Sequence, residues 1–189
     1  MLNNKLGRRL EPLLSRIARA IPLAPNSLTA AGFFLTMCAC VMLAFNLRVG
    51  GILVLLTSFF DMLDGAVARA RGMETSFGAF LDSVLDRYAD AGILLAVAWN
   101  MYVTRNATGV ILSLLTLVGA FLISYARARA EGLGVSCIHG LMERPERILF
   151  LATGAITGFM IPVLWVMTVL THFTAIQRIW YARHQLVRK

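Results

Sequence analysis

The stretch FFDMLDGAVARARGMETSFGAFLDSVLDRYAD, residues 59–90, concentrates acid in a chain that is otherwise strongly apolar. The whole protein has 189 residues and only ten acidic side chains, and half of those ten are aspartates of this stretch. They are Asp61, Asp64, Asp82, Asp86 and Asp90. Long apolar runs precede and follow the stretch, so we predict that it forms the end of one membrane helix, a short link and the start of the next.

The composition favours a membrane protein. Hydrophobic residues make up 58% of the chain, and the formal net charge is +8. A basic chain of this charge often binds nucleic acid when it is soluble, but the long apolar runs exclude that class here. A bilayer core needs about 20 apolar residues per helix. We therefore predict an all-α, polytopic membrane protein with six transmembrane helices, at 27–46, 50–70, 77–100, 108–128, 146–161 and 163–181.

Local signals predict the ends of these spans. The sequence PLAPNS precedes the first span, and Asn26 or Ser27 is the expected helix cap. Gly158 and Pro162 mark the turn between the last two spans. Leucines and isoleucines at helical spacing in residues 1–24 alternate with arginines, which predicts a juxtamembrane amphipathic helix on the membrane surface. The whole chain, 1–189, reads as a single domain with a six-helix bundle at 25–189.

Basic residues predict the orientation. With the N-terminus inside, only Arg48 and Arg105 of the eighteen Lys and Arg residues fall in outside loops. Cytoplasmic segments of membrane proteins are enriched in Lys and Arg. We therefore expect a multi-pass protein of the cell membrane with both termini, and the aspartate-rich stretch, facing the cytoplasm.

The aspartates predict a metal site. Asp61 and Asp64 share one helix face near the inner end of span two, and Asp82 and Asp86 share one face near the inner end of span three. An ionised carboxylate in a membrane is costly unless it is paired or solvated, and this cost makes the four a functional-site hypothesis. Four converging carboxylates suit two Mg²⁺ or Mn²⁺ ions, an arrangement that acts on phosphoryl groups.

The spacing of these residues resembles a known signature. Asp61-x2-Asp64-Gly65-x2-Ala68-Arg69-x8-Gly78-x3-Asp82-x3-Asp86 is similar, at every fixed position, to the motif of the CDP-alcohol phosphotransferases. The resemblance extends to the six spans and the surface helix. It implies transfer of a substituted phosphate from a CDP-linked alcohol to an acceptor hydroxyl, with release of CMP. It also implies a homodimer in a lipid membrane, with no nucleic-acid partner.

The resemblance assigns roles by position. It implies that Asp61, Asp64, Asp82 and Asp86 hold the two metal ions and that Asp86 is also the general base for the acceptor hydroxyl. The nucleotide pocket it implies consists of Asn26, Gly65, Ala68, Arg69, Thr75 and Gly78. Gly65 stands directly after an aspartate, where a bulky side chain would obstruct a metal site.

A second basic region indicates the acceptor. SYARARAEG (124–132) and MERPERI (142–148) both lie on the predicted inner side, and IQRIW brings a further arginine from span six. Guanidinium groups bind phosphate in a bidentate fork, which predicts an acceptor that is itself phosphorylated. The candidate acceptor-binding residues are Arg127, Arg129, Arg144, Arg147 and Arg178. The alternative is that these arginines only follow the topology and pair with Glu131, Glu143 and Glu146.

These basic segments resemble those of phosphatidylinositol-phosphate synthases and archaetidylinositol-phosphate synthases. That resemblance implies a donor of CDP-diacylglycerol or CDP-archaeol and an acceptor of inositol 1-phosphate, with Asp90 bonding inositol hydroxyls. The alternative is a phosphatidylglycerophosphate synthase that uses glycerol 3-phosphate. A cation transporter would need acids spread through the membrane depth, and a scaffold would need no aspartates at all, so an enzyme is the preferred hypothesis.

Overall fold

The protein is described by a computed structural model that covers residues 25–73, 75–137 and 140–187. Side chains are described throughout these ranges except at 25, 26, 61–66 and 68–70. This part of the chain is all-helical, as predicted. Its helices are α1 (Pro25–Phe45), α2 (Leu47–Arg71), α3 (Ser76–Val103), α4 (Ala107–Gly132), α5 (Arg144–Thr157) and α6 (Met160–Val187). The predicted amphipathic helix at 1–24 lies outside the described residues.

Helix ends differ from the predicted spans mainly on the side expected to face the cytoplasm. α4 continues to Gly132 and α6 to Val187, so both extend several residues beyond the apolar runs. The cap predicted at Asn26 or Ser27 is wrong, because α1 already includes Pro25. Proline suits a first helical position, since its fixed φ is helical and the position needs no N–H partner. Gly158 ends α5 in the left-handed conformation with φ of 82°, as the predicted turn requires.

α1 lies between α2 and α3. It packs against both, whereas α2 and α3 contact each other only weakly in the described part of the chain. The reason is the tight α1–α2 hairpin, in which Asn46 alone separates the helices. Its side-chain Oδ1 accepts from the backbone N–H of Val49 at 3.2 Å. Gly50 permits the hairpin, because a methyl group there would overlap the backbone of Leu43.

The remaining helices close the bundle. α3 packs on α4, α4 on α6, α6 on α5, and α5 returns to α2. Small and polar residues bring α4 and α6 together: the hydroxyls of Thr116 and Thr168 lie 2.9 Å apart, and Gly119 faces Thr171 closely. Close approach at small residues and interhelical hydrogen bonds are typical of helix pairs in membranes. This arrangement places the start of α5 beside the first half of α3.

The outer surface is strongly apolar. Phe34, Phe45, Phe159 and Trp180 are each more than 60% exposed, and they belong to a set of large exposed apolar side chains that is far too extensive for a water-soluble monomer. Three helical segments are long and apolar enough to cross a bilayer, Ser27–Phe45, Ala107–Gly132 and Met160–Val187. The 14-residue α5 is shorter than predicted. At 1.5 Å per residue it spans only about 21 Å.

Candidate active site

Three of the predicted site aspartates lie along one face of α3. Asp82, Asp86 and Asp90 are spaced by four residues each, which stacks them along the helix. Thr75 caps the same helix, because its hydroxyl accepts from the backbone N–H of Gly78 at 3.0 Å. These two residues, predicted to contact the nucleotide, therefore meet each other at the start of α3. The cap fixes where the helix begins and hence where its aspartates lie.

The first turn of α5 brings two arginines to these aspartates. Nη1 of Arg144 lies 2.5 Å from Oδ1 of Asp86, and Nη2 of Arg147 lies 2.5 Å from Oδ2 of Asp90. Nε of Arg144 also lies 3.7 Å from Oδ1 of Asp90. Together with Asp82, these four residues form what we call the α3–α5 charge cluster. The sequence proposed both groups for the site but gave no indication that they are in contact.

Burial divides the cluster into an open part and a closed part. The side chains of Asp86 and Arg144 are each 20% exposed, whereas those of Asp90 and Arg147 are each 6% exposed. A small cavity reaches the open part, and its wall includes Asp82, Asp86 and Arg144. α1 completes this wall. A molecule that binds at this open part would therefore contact Asp86 and Arg144, while Asp90 and Arg147 are more buried.

The α1 part of the wall was not predicted as functional. Thr29 and Phe33 line the cavity opposite the aspartates, one helical turn apart. Their spacing places them on one face of α1. The helix start PNSLT had drawn attention only to Asn26, whose side chain is not described. Thr29 therefore lines the candidate site although the sequence did not indicate it, because a threonine in an apolar helix carries no distinctive signal.

The other predicted acceptor arginines separate into two groups. Arg178 of α6 is buried at 3% exposure, donates to the backbone carbonyl of Ile123 at 2.9 Å and lies 3.9 Å from Glu143. Gly140 leaves room for this guanidinium, because a Cβ atom added at position 140 would lie only 3.0 Å from Nη2 of Arg178. Arg127 and Arg129 are instead exposed on α4, where Arg127 bonds Glu131 at 2.9 Å. The structure therefore does not bring all five arginines into one cavity.

Arg127 and Arg129 lie about 200° apart around α4, on nearly opposite faces of the helix. Both are exposed, so this last part of α4 is open to its surroundings on two sides. The pairing of Arg127 with Glu131 matches the alternative in which the basic residues follow the topology. Arg87 lies 3.8 Å from Asp86 and donates to the Ser83 carbonyl at 2.5 Å.

For the α2 half of the predicted site, the structure describes the backbone but not the predicted side chains. Asp61, Asp64, Gly65, Ala68 and Arg69 all lie in the last part of α2, before the link to α3. Because that link is short, the end of α2 and the start of α3 are held near each other. Their side chains are not described, so convergence of the four aspartates stays a prediction. The described side chains alone include no group of three potential metal ligands.

The α3 half of the predicted metal site, whose side chains are described, has the ligand chemistry that a hard divalent cation requires. Asp82 and Asp86 supply carboxylate oxygens one helical turn apart, and oxygen is the ligand type that Mg²⁺ and Mn²⁺ prefer. Both carboxylates border the cavity and are partly accessible. The nearby arginines offset the negative charge of the aspartates. A cation bound by Asp86 would share this carboxylate with Arg144.

Comparison with known proteins assigns the family. A model of the CDP-alcohol phosphatidyltransferase family matches residues 22–180. The archaetidylinositol phosphate synthase of Methanothermobacter thermautotrophicus is 36% identical, with 98% of each chain covered. The phosphatidylinositol phosphate synthase of Mycobacterium tuberculosis, in a crystal structure with CDP-DAG bound, superimposes with a TM-score of 0.84 at 32% identity, covering 90% of this chain and 94% of that one.

A second crystal structure of the M. tuberculosis enzyme, in complex with manganese and citrate, has the same TM-score of 0.84 at 33% identity and covers 89% of this chain and 88% of the other. The family match covers all but the two ends of the chain and includes the aspartates of α2 and α3. The apolar helices and the family agree on a membrane protein. The chain belongs to the CDP-alcohol phosphatidyltransferase family.

Proposed function

We propose that this enzyme transfers a phosphatidyl or archaetidyl group from a CDP-linked lipid to inositol 1-phosphate and releases CMP. The observation that carries the proposal is the contact between Asp86 and Arg144, which places a carboxylate and a guanidinium on one cavity wall. The carboxylate suits proton abstraction from an acceptor hydroxyl, and the guanidinium suits a phosphate on the same acceptor. The named relatives, which make inositol phospholipids, support this acceptor.

In the proposed reaction, Asp86 removes the proton from an acceptor hydroxyl. The acceptor oxygen then forms a bond to the lipid-side phosphorus, and the bond from that phosphorus to CMP breaks. Arg144 holds the acceptor phosphate within reach of Asp86, so that the hydroxyl meets the carboxylate in a productive orientation. Arg178, buried behind the loop that precedes α5, is the second proposed arginine for the acceptor.

A divalent metal is part of the proposal. Asp61, Asp64, Asp82 and Asp86 would hold two ions, either Mg²⁺ or Mn²⁺, and the manganese in the M. tuberculosis enzyme supports this class of cofactor. The bound metal would neutralise the donor diphosphate and improve CMP as a leaving group. The nucleotide would lie against the end of α2, at Gly65, Ala68 and Arg69, and near the capped start of α3 at Thr75 and Gly78.

The membrane arrangement is also proposed. We infer six spans with both termini and the charge cluster on the cytoplasmic side, because the basic residues of the chain favour that orientation. Residues 1–24 would lie on the membrane surface, and 1–189 would act as one domain. Two copies would form a homodimer through their apolar faces.

The test is an assay of CMP release by the purified protein. CDP-diacylglycerol and CDP-archaeol are each combined with inositol 1-phosphate, glycerol 3-phosphate or unphosphorylated inositol, with Mg²⁺ or Mn²⁺ present. We expect CMP release with inositol 1-phosphate and only background release with the other two acceptors. Preference for glycerol 3-phosphate would instead assign a phosphatidylglycerophosphate synthase, and preference for free inositol would refute the phosphate-binding role of the arginines.

A further inference from the structure

Asp90 contacts both arginines of the α3–α5 charge cluster. Its Oδ2 lies 2.5 Å from Nη2 of Arg147, and its Oδ1 lies 3.7 Å from Nε of Arg144. It is 5% exposed and does not line the cavity bounded by Asp82, Asp86 and Arg144. A second small cavity is lined by Asp90 and Arg147, but its other lining residues are apolar. An acceptor in the first of these cavities would therefore meet Arg144 before it could meet Asp90.

Arg147 is enclosed in the same way. Its guanidinium also donates from Nη1 to the backbone carbonyl of Met142 at 3.2 Å, and the residue is 5% exposed. Arg147 thus joins α3 to the segment just before α5. A buried charge requires a partner, and here the partner is Asp90. The pair fastens the start of α5 to the middle of α3, next to the turn that carries Arg144.

We propose that Asp90 is a positioning residue: one carboxylate oxygen bonds Arg147, the other attracts Arg144 across 3.7 Å, and Asp90 thereby helps to hold the Arg144 guanidinium against Asp86. The inference rests on the proposed function, because it gives Arg144 the task of binding the acceptor phosphate. It reassigns Asp90 and Arg147, which the sequence had placed among the groups that touch the acceptor. Neither touches substrate in this account.

Two other roles for Asp90 predict different results. If Asp90 acted only as a nearby negative charge, its neutralisation would strengthen phosphate binding, because the pocket would become more positive. If Asp90 bonded inositol hydroxyls, its replacement would weaken binding of inositol 1-phosphate but not of inorganic phosphate, which has no such hydroxyls. Positioning of Arg144 predicts that binding of both anions weakens.

The test is Asp90→Asn in the full-length protein, with binding of inositol 1-phosphate and of inorganic phosphate measured by calorimetry. Asparagine keeps the shape but replaces one acceptor oxygen by an NH₂ donor, so it can serve only one of the two arginines. We expect Kd to rise by about tenfold for both anions, with the KM for the CDP-lipid changed by less than about twofold. Unchanged or tighter phosphate binding would overturn the proposal.

A second variant covers the case in which Asp90→Asn does not fold. Asp90→Leu combined with Arg147→Met replaces the buried pair by apolar side chains of similar volume, an exchange that proteins often tolerate. This double variant removes the contact of Arg144 with Asp90 but keeps its contact with Asp86. We therefore expect the same weakening of phosphate binding in a protein that melts near the wild-type temperature. Wild-type phosphate affinity in that variant would contradict the positioning role.

Asn100→Ala is the matched control. Asn100 is another buried polar residue of α3, and its side chain donates to the Ala44 carbonyl of α1 at 3.1 Å, far along the helix from the cluster. We expect this control variant to lower the melting temperature without changing either Kd.

The proposed function and the positioning role can be contradicted independently. The proposed function is contradicted if the wild-type protein releases no CMP with inositol 1-phosphate. The positioning role fails alone when the wild type is active and Asp90→Asn binds phosphate normally.

Discussion

At the scale of single residues, the decisive contact is between Asp86 and Arg144. Their atoms lie 2.5 Å apart on a shared cavity wall, so the proposed base and the proposed phosphate ligand are assembled before any substrate enters. A charge-assisted bond of this kind holds both groups in one orientation. Each side chain nevertheless contributes to a different step, and substitutions should separate the steps.

Asp86→Asn tests the base. Because an amide does not accept the acceptor proton as a carboxylate does, we expect kcat for CMP release to fall by at least about 100-fold. Donor binding should largely survive, since three aspartates of the proposed metal site remain. Both are measured on the same preparation, with CDP-lipid binding followed by calorimetry. Turnover near the wild-type rate would exclude Asp86 as the base.

Arg144→Ala tests the acceptor site. Loss of the guanidinium should raise the KM for inositol 1-phosphate by about tenfold or more, because a charged hydrogen bond to phosphate is lost. The KM for the CDP-lipid should stay within about twofold. Arg48→Ala, an exposed arginine at the opposite end of the bundle, is the control and should change neither value. Equal effects on both KM values would place Arg144 outside the acceptor site.

At the scale of helices, the site depends on how closely the bundle packs. α5 reaches the aspartates of α3 because it lies between α2 and α6, and α6 is itself held tightly against α4. The α4–α6 contact relies on Gly119, where an added methyl group would overlap the hydroxyl of Thr171. The site is thus supported by packing several turns away from it.

Gly119→Ala tests this support. We expect the free energy of unfolding to fall by about 1–3 kcal/mol, because the methyl group must force α4 and α6 apart. The same change at Gly132, on the same helix but with open space around it, should leave the melting temperature unchanged. Thermal unfolding in detergent measures both variants. Equal melting temperatures for the two would show that α4 and α6 are not in close contact at Gly119.

The sequence predicted the helices better than it predicted the contacts between them. Apolar runs and the Gly158 turn indicate each helix, because the bilayer dictates their length and composition. Arg127 and Arg129 of α4 were also predicted to bind the acceptor, but both are exposed, and which residues at the end of a helix become buried depends on tertiary packing. The pairing of Asp90 with Arg147 crosses two helices and depends on tertiary packing, which sequence spacing does not encode.

At the scale of the whole molecule, the distribution of basic residues is the basis for the proposed orientation in the membrane. Among the described residues, the charge cluster and most basic residues lie at one end of the bundle, which we propose faces the cytoplasm. In a variant without native cysteines, a cysteine introduced at position 48 should react with an impermeant maleimide added to intact cells, whereas one at position 183 should not. Labelling at position 183 alone would reverse the proposed topology.

The central claim is that aspartates of α2 and α3 together hold divalent cations beside the acceptor cavity. Anomalous diffraction from crystals grown with Mn²⁺ and a CDP-lipid measures this directly, because manganese scatters anomalously and carbon, nitrogen and oxygen do not. We expect two manganese peaks, each bounded by carboxylates from among Asp61, Asp64, Asp82 and Asp86. Peaks elsewhere, or none with the CDP-lipid bound, would contradict it.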